Sequence, residues 1–541
     1  MEVSYFLIFL FVIVMLLVFG SFLENRSLLV GWHRNLLLGF FLALIHFSIL
    51  HRYSYPFMDF GAVLVTSDPL TNLLNDGISI DSVHSLQANY FTGNPFFLLP
   101  LFHFFGSGPG TQRTIMIFFA ALATFFCFMA YKNIFEPKKA FIGILILFNF
   151  SAYLTFWTMD YPYVLAFIAV LFYLFTEWYE RGKDNLVYLL AFLSGLFFYF
   201  KAIIAYFVIS IGLATLIKDK TFVHSLLKPK IIVFSLILFL VGISPFLLYS
   251  IGTGFEFLQD AGSPDDNYGL ISEAGYEPTL QNILGFRVAH LNYLMTPSSH
   301  YEIGSDFPYH PRLELPSFMT ILLLISTLYG VYKKKTRIYG LTLFGLFAFS
   351  LYVTNDLNPQ QLIILFPFIP ISFLAIIERL MDSTRVEDNN IYILTAIILT
   401  TGILISIPAL HQTIQDIEPR ESDADQKIYE DLERLELEGV LATNTWEIYQ
   451  AAAFSTDITE RKFVSPNNIP DKSFSQHLQQ DQILLENYAP YNSNLLIYNS
   501  TSCPKSACGY NTTEILDYYD ISNKDAVDMG GTQYILVEIS N

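Results

Sequence analysis

From Met1 to about Leu410 the chain repeats apolar runs of roughly 15–20 residues, each closed by a short polar break, and this repetition constrains the fold more than anything else in the sequence. Runs of that length match the hydrocarbon core of a bilayer, where only helices or a closed barrel satisfy every backbone polar group. The runs show no strand-like alternation, so they read as helices. Charge is scarce as well: 14% of residues are charged, where a soluble domain carries roughly a quarter. Tyr5 to Leu23 lacks a basic start and a small-residue cleavage site, so it reads as a span and not as a signal peptide.

Lysine and arginine set the orientation, because basic loops stay on the cytoplasmic side. Basic loops hold Arg26 and Arg34; Lys132, Lys138 and Lys139; Arg181 and Lys183; Lys218, Lys220, Lys228 and Lys230; Lys333 to Lys335 with Arg337; and Arg379 with Arg385. Each is separated from the next by two spans, and the loops between them are acidic or neutral. The expected fold class is therefore an α-helical polytopic membrane protein of about 12 transmembrane helices, near 5–23, 35–50, 112–131, 140–158, 162–179, 186–200, 202–217, 231–250, 316–332, 338–354, 360–378 and 391–409. Both termini then lie outside, and the multi-pass protein sits in the plasma membrane.

After about His411 the hydropathy becomes that of an ordinary globular domain. The expected division is a membrane domain over 1–410, with outer loops near 51–111 and 251–315, and an extracytoplasmic α/β domain over 411–541. In the tail, Gln426 to Glu438 has helical charge spacing, and Gly439 to Thr443, Asn494 to Tyr498 and Tyr534 to Glu538 read as short strands. An outer location agrees with two glycan acceptor triplets, at Asn499 and Asn511. It also agrees with Cys503 and Cys508, which read as a local disulfide more readily than as a metal pair. The net charge of −18 argues against a nucleic-acid partner.

Both outer loops are too long to be plain connectors. The first holds Asp59, Asp68, Asp76 and Asp81 and then the apolar stretch Asn94 to Gly106. That stretch is too short to span, and a span there would put the later lysine-rich loops outside. It therefore reads as an interfacial or re-entrant helix. Asp59 and Asp160 belong to the same membrane face and are candidates for one cavity, although short outer turns are often acidic simply because bases are kept inside. Arg52, Arg113 and Lys201 break the positive-inside pattern. Lys201 stands where two spans meet with almost no loop. A lipid-linked phosphate at the outer leaflet would give it an anion, as would snorkelling to ordinary headgroups. Arg287 and Arg312 are further cations of the second long loop. The histidines there show no zinc spacing.

Several of these residues fall in an order that resembles the GT-C membrane glycosyltransferases, in particular the group related to protein O-mannosyltransferases and the lipid A aminoarabinose transferase. The order is Asp59, then Gly93-Asn94-Pro95-Phe96-Phe97-Leu98-Leu99, then Gly106 and Arg113. It continues through Met159-Asp160-Tyr161-Pro162 and Gly195 to Lys201, and ends at Pro359-Gln360-Gln361-Leu362-Ile363-Ile364-Leu365-Phe366-Pro367. Asp59 is followed by Phe60 where the family has a second acid, and Gln360-Gln361 stand where it has Arg-Tyr. Asp68, which precedes Pro69, is an alternative counterpart of Asp59.

The resemblance implies transfer of a sugar from a polyprenyl-phosphate-linked donor, of the dolichyl phosphate mannose kind, to a hydroxyl of a glycan, lipid or protein acceptor at the outer face, with inversion. It implies Asp59 (or Asp68) as the base, Asp160 as its aid in positioning the acceptor, and Lys201, Arg113 and Arg287 as partners of the donor phosphate. A divalent cation, magnesium or manganese, is allowed by two acids and not required by them. The alternative class is a multi-pass transporter or lipid flippase, which predicts charges buried mid-membrane, broken helices and repeated halves. The helices are nearly free of mid-span charge and the halves do not resemble each other.

Overall fold

A computed structural model of the chain describes residues 42, 44–46, 109–150, 153, 162–182, 185–200, 203–219, 228–252, 279–295, 316–352, 359–383 and 392–404, together with strands at 439–442, 462–464, 492–498, 525–529 and 532–540. The chain divides into two compact units. Met1–Arg52, Met116–Ser244 and Glu256–Gln415 make the first; Tyr53–Ile115, Pro245–Phe255 and Asp416–Asn541 make the second.

The helices are α1 (Pro109–Ile134), α2 (Pro137–Phe148), α3 (Pro162–Arg181), α4 (Leu186–Phe200), α5 (Ile204–Lys218), α6 (Pro229–Gly252), α7 (Leu280–Met295), α8 (Phe318–Tyr332) and α9 (Arg337–Tyr352). A 3-10 segment, Pro359–Leu365, then leads into α10 (Ile369–Ser383), and α11 (Tyr392–Leu404) follows. Proline opens α1, α2, α3 and α6, where its missing N–H has no intrahelical partner to lose. Ser317 caps α8 by accepting a hydrogen bond from the Thr320 N–H at 3.2 Å.

Among the described residues three segments are long and apolar enough to cross a membrane: Thr114–Ile134, Tyr163–Arg181 and Leu362–Leu380. Six shorter apolar helices accompany them. Burial follows the logic of lipid. Thr124, Ser326 and Thr342 are buried, while Phe118, Leu213, Ile217, Leu236, Leu328, Phe344 and Ile398 are exposed. Large apolar side chains on the outside, with hydroxyls inside, suit an integral membrane protein. Inside the unit, buried aromatic rings pack across helices, as where Phe167 of α3 stacks on Phe197 of α4 at 4.1 Å between centroids. Gly195 of α4 and Gly242 of α6 let two backbones touch. A Cβ on Gly195 would stand 2.3 Å from the Phe239 carbonyl, and one on Gly242 2.3 Å from that of Phe192.

The expected spans at 186–200 and 162–179 match α4 and α3 closely, whereas three stretches differ for identifiable reasons. The expected helix at 140–158 starts earlier, at Pro137, and ends at Phe148. There the Asn149 side chain donates to the carbonyls of Leu145 (2.8 Å) and Leu399 (2.9 Å), tying α2 to α11. The span at 360–378 is a 3-10 segment followed by an α-helix. Pro367 has no N–H to continue an α-helix, and bonds to the third residue back take over (Phe366 N to Ile363 O and Phe368 N to Leu365 O, both 2.9 Å). The Tyr131 hydroxyl donates to the Pro367 carbonyl at 2.9 Å, so the break is satisfied from α1.

The third difference is α7, a 16-residue helix inside what reads as a long loop. Ile283, Phe286, Arg287, His290, Leu291 and Leu294 are buried as an inward stripe at helical spacing, and Asn292 and Met295 are buried beside them. The expected spans at 5–23 and, in large part, 35–50 lie outside the described residues.

In the second unit the strands β1 (Gly439–Ala442), β2 (Lys462–Val464), β3 (Asn492–Tyr498), β4 (Asp525–Met529) and β5 (Thr532–Ser540) form one mixed sheet in the order β2-β1-β3-β5-β4. β1 runs parallel to β2 and β3, with Leu441 opposite Val464 and Leu495. β5 runs antiparallel to β3 and β4, with Leu536 opposite Leu496 and Asp525. β1, β3 and β5 fall on the three stretches that read as strands. The expected helix at 426–438, the two glycan triplets and Cys503 and Cys508 lie outside the described residues.

Candidate functional site

The two ends of the helical unit differ in chemistry. At one end the basic loops converge. Glu378 on α10 takes Lys139 (2.9 Å), Lys335 (3.4 Å) and Lys333, so the starts of α2 and α9 and the end of α8 meet there. Beside them, Tyr339 of α9 donates to Glu180 of α3 at 2.8 Å, and Tyr179 donates to Asp219 at the end of α5 at 3.3 Å. Lys218 sits 5.1 Å above the Tyr179 ring, and Arg181 pairs with Glu177 at 3.1 Å. α6 begins at the same end: Tyr188 meets Phe234, and Gly195 meets Gly242, so α4 and α6 run parallel. Five basic loops that the sequence assigns to one side of the membrane thus share one face of the unit.

The opposite end carries Arg287 and residues close in sequence to Asp160 and Lys201. α3 opens there, two residues after Asp160, and its Tyr163 ring lies 6.3 Å from that of Phe200, the last residue of α4. Phe200 immediately precedes Lys201. After Lys201, α5 begins, and its Tyr206 stacks on Phe349 near the end of α9, 5.7 Å between centroids. Ser350 follows, and its carbonyl accepts the Nε–H of Arg287 at 2.7 Å. Contacts therefore lead from the neighbours of Asp160 through those of Lys201 to Arg287. Asp59, Asp68, Asp160 and Lys201 themselves lie outside the described residues, as does the stretch 94–106. Arg113 falls within α1, but its side chain is likewise not described.

Arg287 is fully buried on the inward stripe of α7, with Nη1 3.5 Å from Nδ1 of His290. Burial draws the guanidinium down to about 10, which leaves it charged at neutral pH. Burial, and then the Arg287 charge, hold His290 down at about 3, so the imidazole is neutral. α7 is clamped twice, since the Ser317 N–H at the start of α8 also donates to Asn292 Oδ1 at 2.6 Å. The sequence singled out Arg287 but not its partners; a backbone carbonyl such as that of Ser350 leaves no mark in composition. Among the described residues no three His, Cys, Asp or Glu side chains come together as metal ligands.

No family model matches the sequence, and no curated protein matches it either. Solved structures do match. One is ArnT from Cupriavidus metallidurans bound to undecaprenyl phosphate, at 9% identity and a TM-score of 0.54, covering 94% of this chain and 100% of that one. The chain shares the fold of ArnT. The apo form of the same protein matches at 9% identity and a TM-score of 0.55, over 94% of this chain and 98% of that one. The likeness to ArnT, the lipid A aminoarabinose transferase of the GT-C group, extends along nearly the whole chain. At this identity it is a likeness of fold, consistent with a sequence whose motifs agree in order more than in letter.

Proposed function

We propose that this protein is a membrane glycosyltransferase that moves a sugar from a polyprenyl-phosphate-linked donor to an acceptor hydroxyl at the outer membrane face. The observation that carries the reading is the run of contacts linking the neighbours of Asp160 and Lys201 to Arg287, at the end of the helical unit opposite its basic face. The fold adds support, because ArnT was solved with a polyprenyl phosphate, undecaprenyl phosphate, bound.

The proposed chemistry is one displacement. The acceptor oxygen attacks the anomeric carbon, its proton passes to a carboxylate, and the bond to the lipid phosphate breaks with inversion. Asp59 is the assigned base, with Asp68 as the alternative, and Asp160 holds the acceptor. Lys201, Arg113 and Arg287 offset the charge that develops on the departing phosphate. Arg287 suits that task because its buried guanidinium stays charged, while its Nε bond to Ser350 fixes the plane. If transfer requires magnesium or manganese, Asp59 (or Asp68) and Asp160 are the residues that would hold it. The domain over 411–541, assigned to the extracytoplasmic side, would cover the cavity or hold the acceptor. A hexose of the mannose type is the first donor to try.

The test is transfer of radiolabelled sugar from a polyprenyl-phosphate donor in membranes holding the wild type, Asp59→Asn or Asp68→Asn. The base variant should lose about 10²–10⁴-fold in rate. Wild-type membranes that transfer nothing from any such donor would leave the transporter class, which the break at Pro367 also suits, as the better reading.

A further inference from the structure

Three segments of the first unit converge on one carboxylate: Phe135–Lys139, Lys333–Arg337 and Glu378–Arg379. Glu378 gathers Lys139, Lys333 and Lys335, and Lys335 also lies 4.7 Å above the Phe135 ring. These segments hold seven cations (Lys138, Lys139, Lys333, Lys334, Lys335, Arg337 and Arg379) against two carboxylates, Glu136 and Glu378. Glu378 is 8% exposed and the Lys139 and Lys333 side chains 19% and 23%, so the positive excess is only partly open to water. Arg337 donates to the carbonyls of Val331 and Tyr332 at the end of α8, which fixes its position and offsets part of its charge. One carboxylate cannot balance three ammonium groups, and the others repel across a short distance.

The surroundings indicate what supplies the missing negative charge. Leu328 and Tyr332, one turn apart on α8, are 66% and 78% exposed, and Leu380 on α10 is 58% exposed. They stand beside Lys333 and Arg379. A cationic cluster at the end of apolar helices, next to bare apolar side chains, matches a headgroup phosphate joined to acyl chains better than it matches a free anion. We propose that the Glu378 cluster is a binding site for the phosphate of an anionic phospholipid headgroup, on the face opposite the candidate catalytic end.

The experiment uses the full-length protein in lipid nanodiscs of phosphatidylcholine with or without phosphatidylglycerol, with native mass spectrometry counting retained lipids and thermal melting as a second readout. Wild type should retain phosphatidylglycerol in preference to phosphatidylcholine and melt higher when it is present. Lys334→Gln with Arg379→Gln removes two exposed cations that do not bond Glu378, so folding is spared. Affinity for phosphatidylglycerol should fall roughly fivefold per cation removed. Lys228→Gln with Lys230→Gln, at the same face on α6, should change nothing. Equal retention of the two lipids by wild type would overturn the proposal, as would an equal loss in the α6 pair. Inorganic phosphate giving the same rise in melting temperature in pure phosphatidylcholine, without any lipid preference, would make this a free-phosphate site and also overturn it.

Discussion

At the basic end of the helical unit every described carboxylate deep in the network has a named partner: Glu378 its lysines, Glu180 the Tyr339 hydroxyl, Glu177 Arg181. At the other end the buried cation, Arg287, meets a backbone carbonyl and a neutral histidine. At the first end each of these carboxylates is matched within the protein, while the lysines around Glu378 outnumber it. At the second, the Arg287 guanidinium is buried and bonded to the Ser350 carbonyl, with the His290 imidazole beside it. The two ends thus hold buried charge in different ways, ion pairs at one and a backbone carbonyl at the other, and the difference can be broken by substitution at either end.

The largest effect on stability belongs to the basic end. Glu378→Ala strands three lysines around an empty centre and should cost about 3 kcal/mol, read as a lower melting temperature, with transfer per folded molecule retained. By contrast, Lys335→Gln removes the most exposed of the three ion pairs, its side chain 44% exposed, and should cost less than about 1 kcal/mol. At the other end, Arg287→Leu removes a charged donor from the Ser350 carbonyl and should cost about 2 kcal/mol. Here, unlike at Glu378, donor-dependent transfer should fall by more than the loss of folded protein explains.

The last effect is silent at neutral pH and appears only on acidification. Folded His290 stays neutral down to about pH 3, whereas the unfolded chain takes up a proton near the ordinary 6.5. Its contribution to stability is therefore complete above about pH 6.5 and is lost as the pH falls from there towards 3. His290→Asn should flatten the fall in melting temperature across that window; an unchanged profile would show that burial does not lower the His290 pKa.

Much of this organisation was legible because lipid demands simple patterns. The length of an apolar run marks a helix, as at α4, and lysine placement marks a face, as in the loops that meet at Glu378. What was not legible has local causes. In α7 three of the eight described buried positions are Arg287, His290 and Asn292, so polar residues hid a helical period that the apolar residues alone do not complete. At Pro367 the apolar run continues while the hydrogen bonding does not, and the carbonyl left over is met by Tyr131, more than 200 positions away in the chain. The clamp at Asn292 depends on where the start of α8 falls in space, which no spacing in the sequence reports. For the candidate site the sequence offers an expected order of acids and cations that stand out against apolar surroundings, of which only Arg287 has a described side chain.

The most direct test compares the two ends in one assay: transfer of labelled sugar from a polyprenyl-phosphate donor by purified wild type, Lys201→Gln and Lys334→Gln. Lys201→Gln should lose about 10²–10³-fold in rate with an unchanged melting temperature, while Lys334→Gln should stay within about twofold of wild type. Loss in Lys334→Gln with full activity in Lys201→Gln would place the donor phosphate at the basic face and contradict the account.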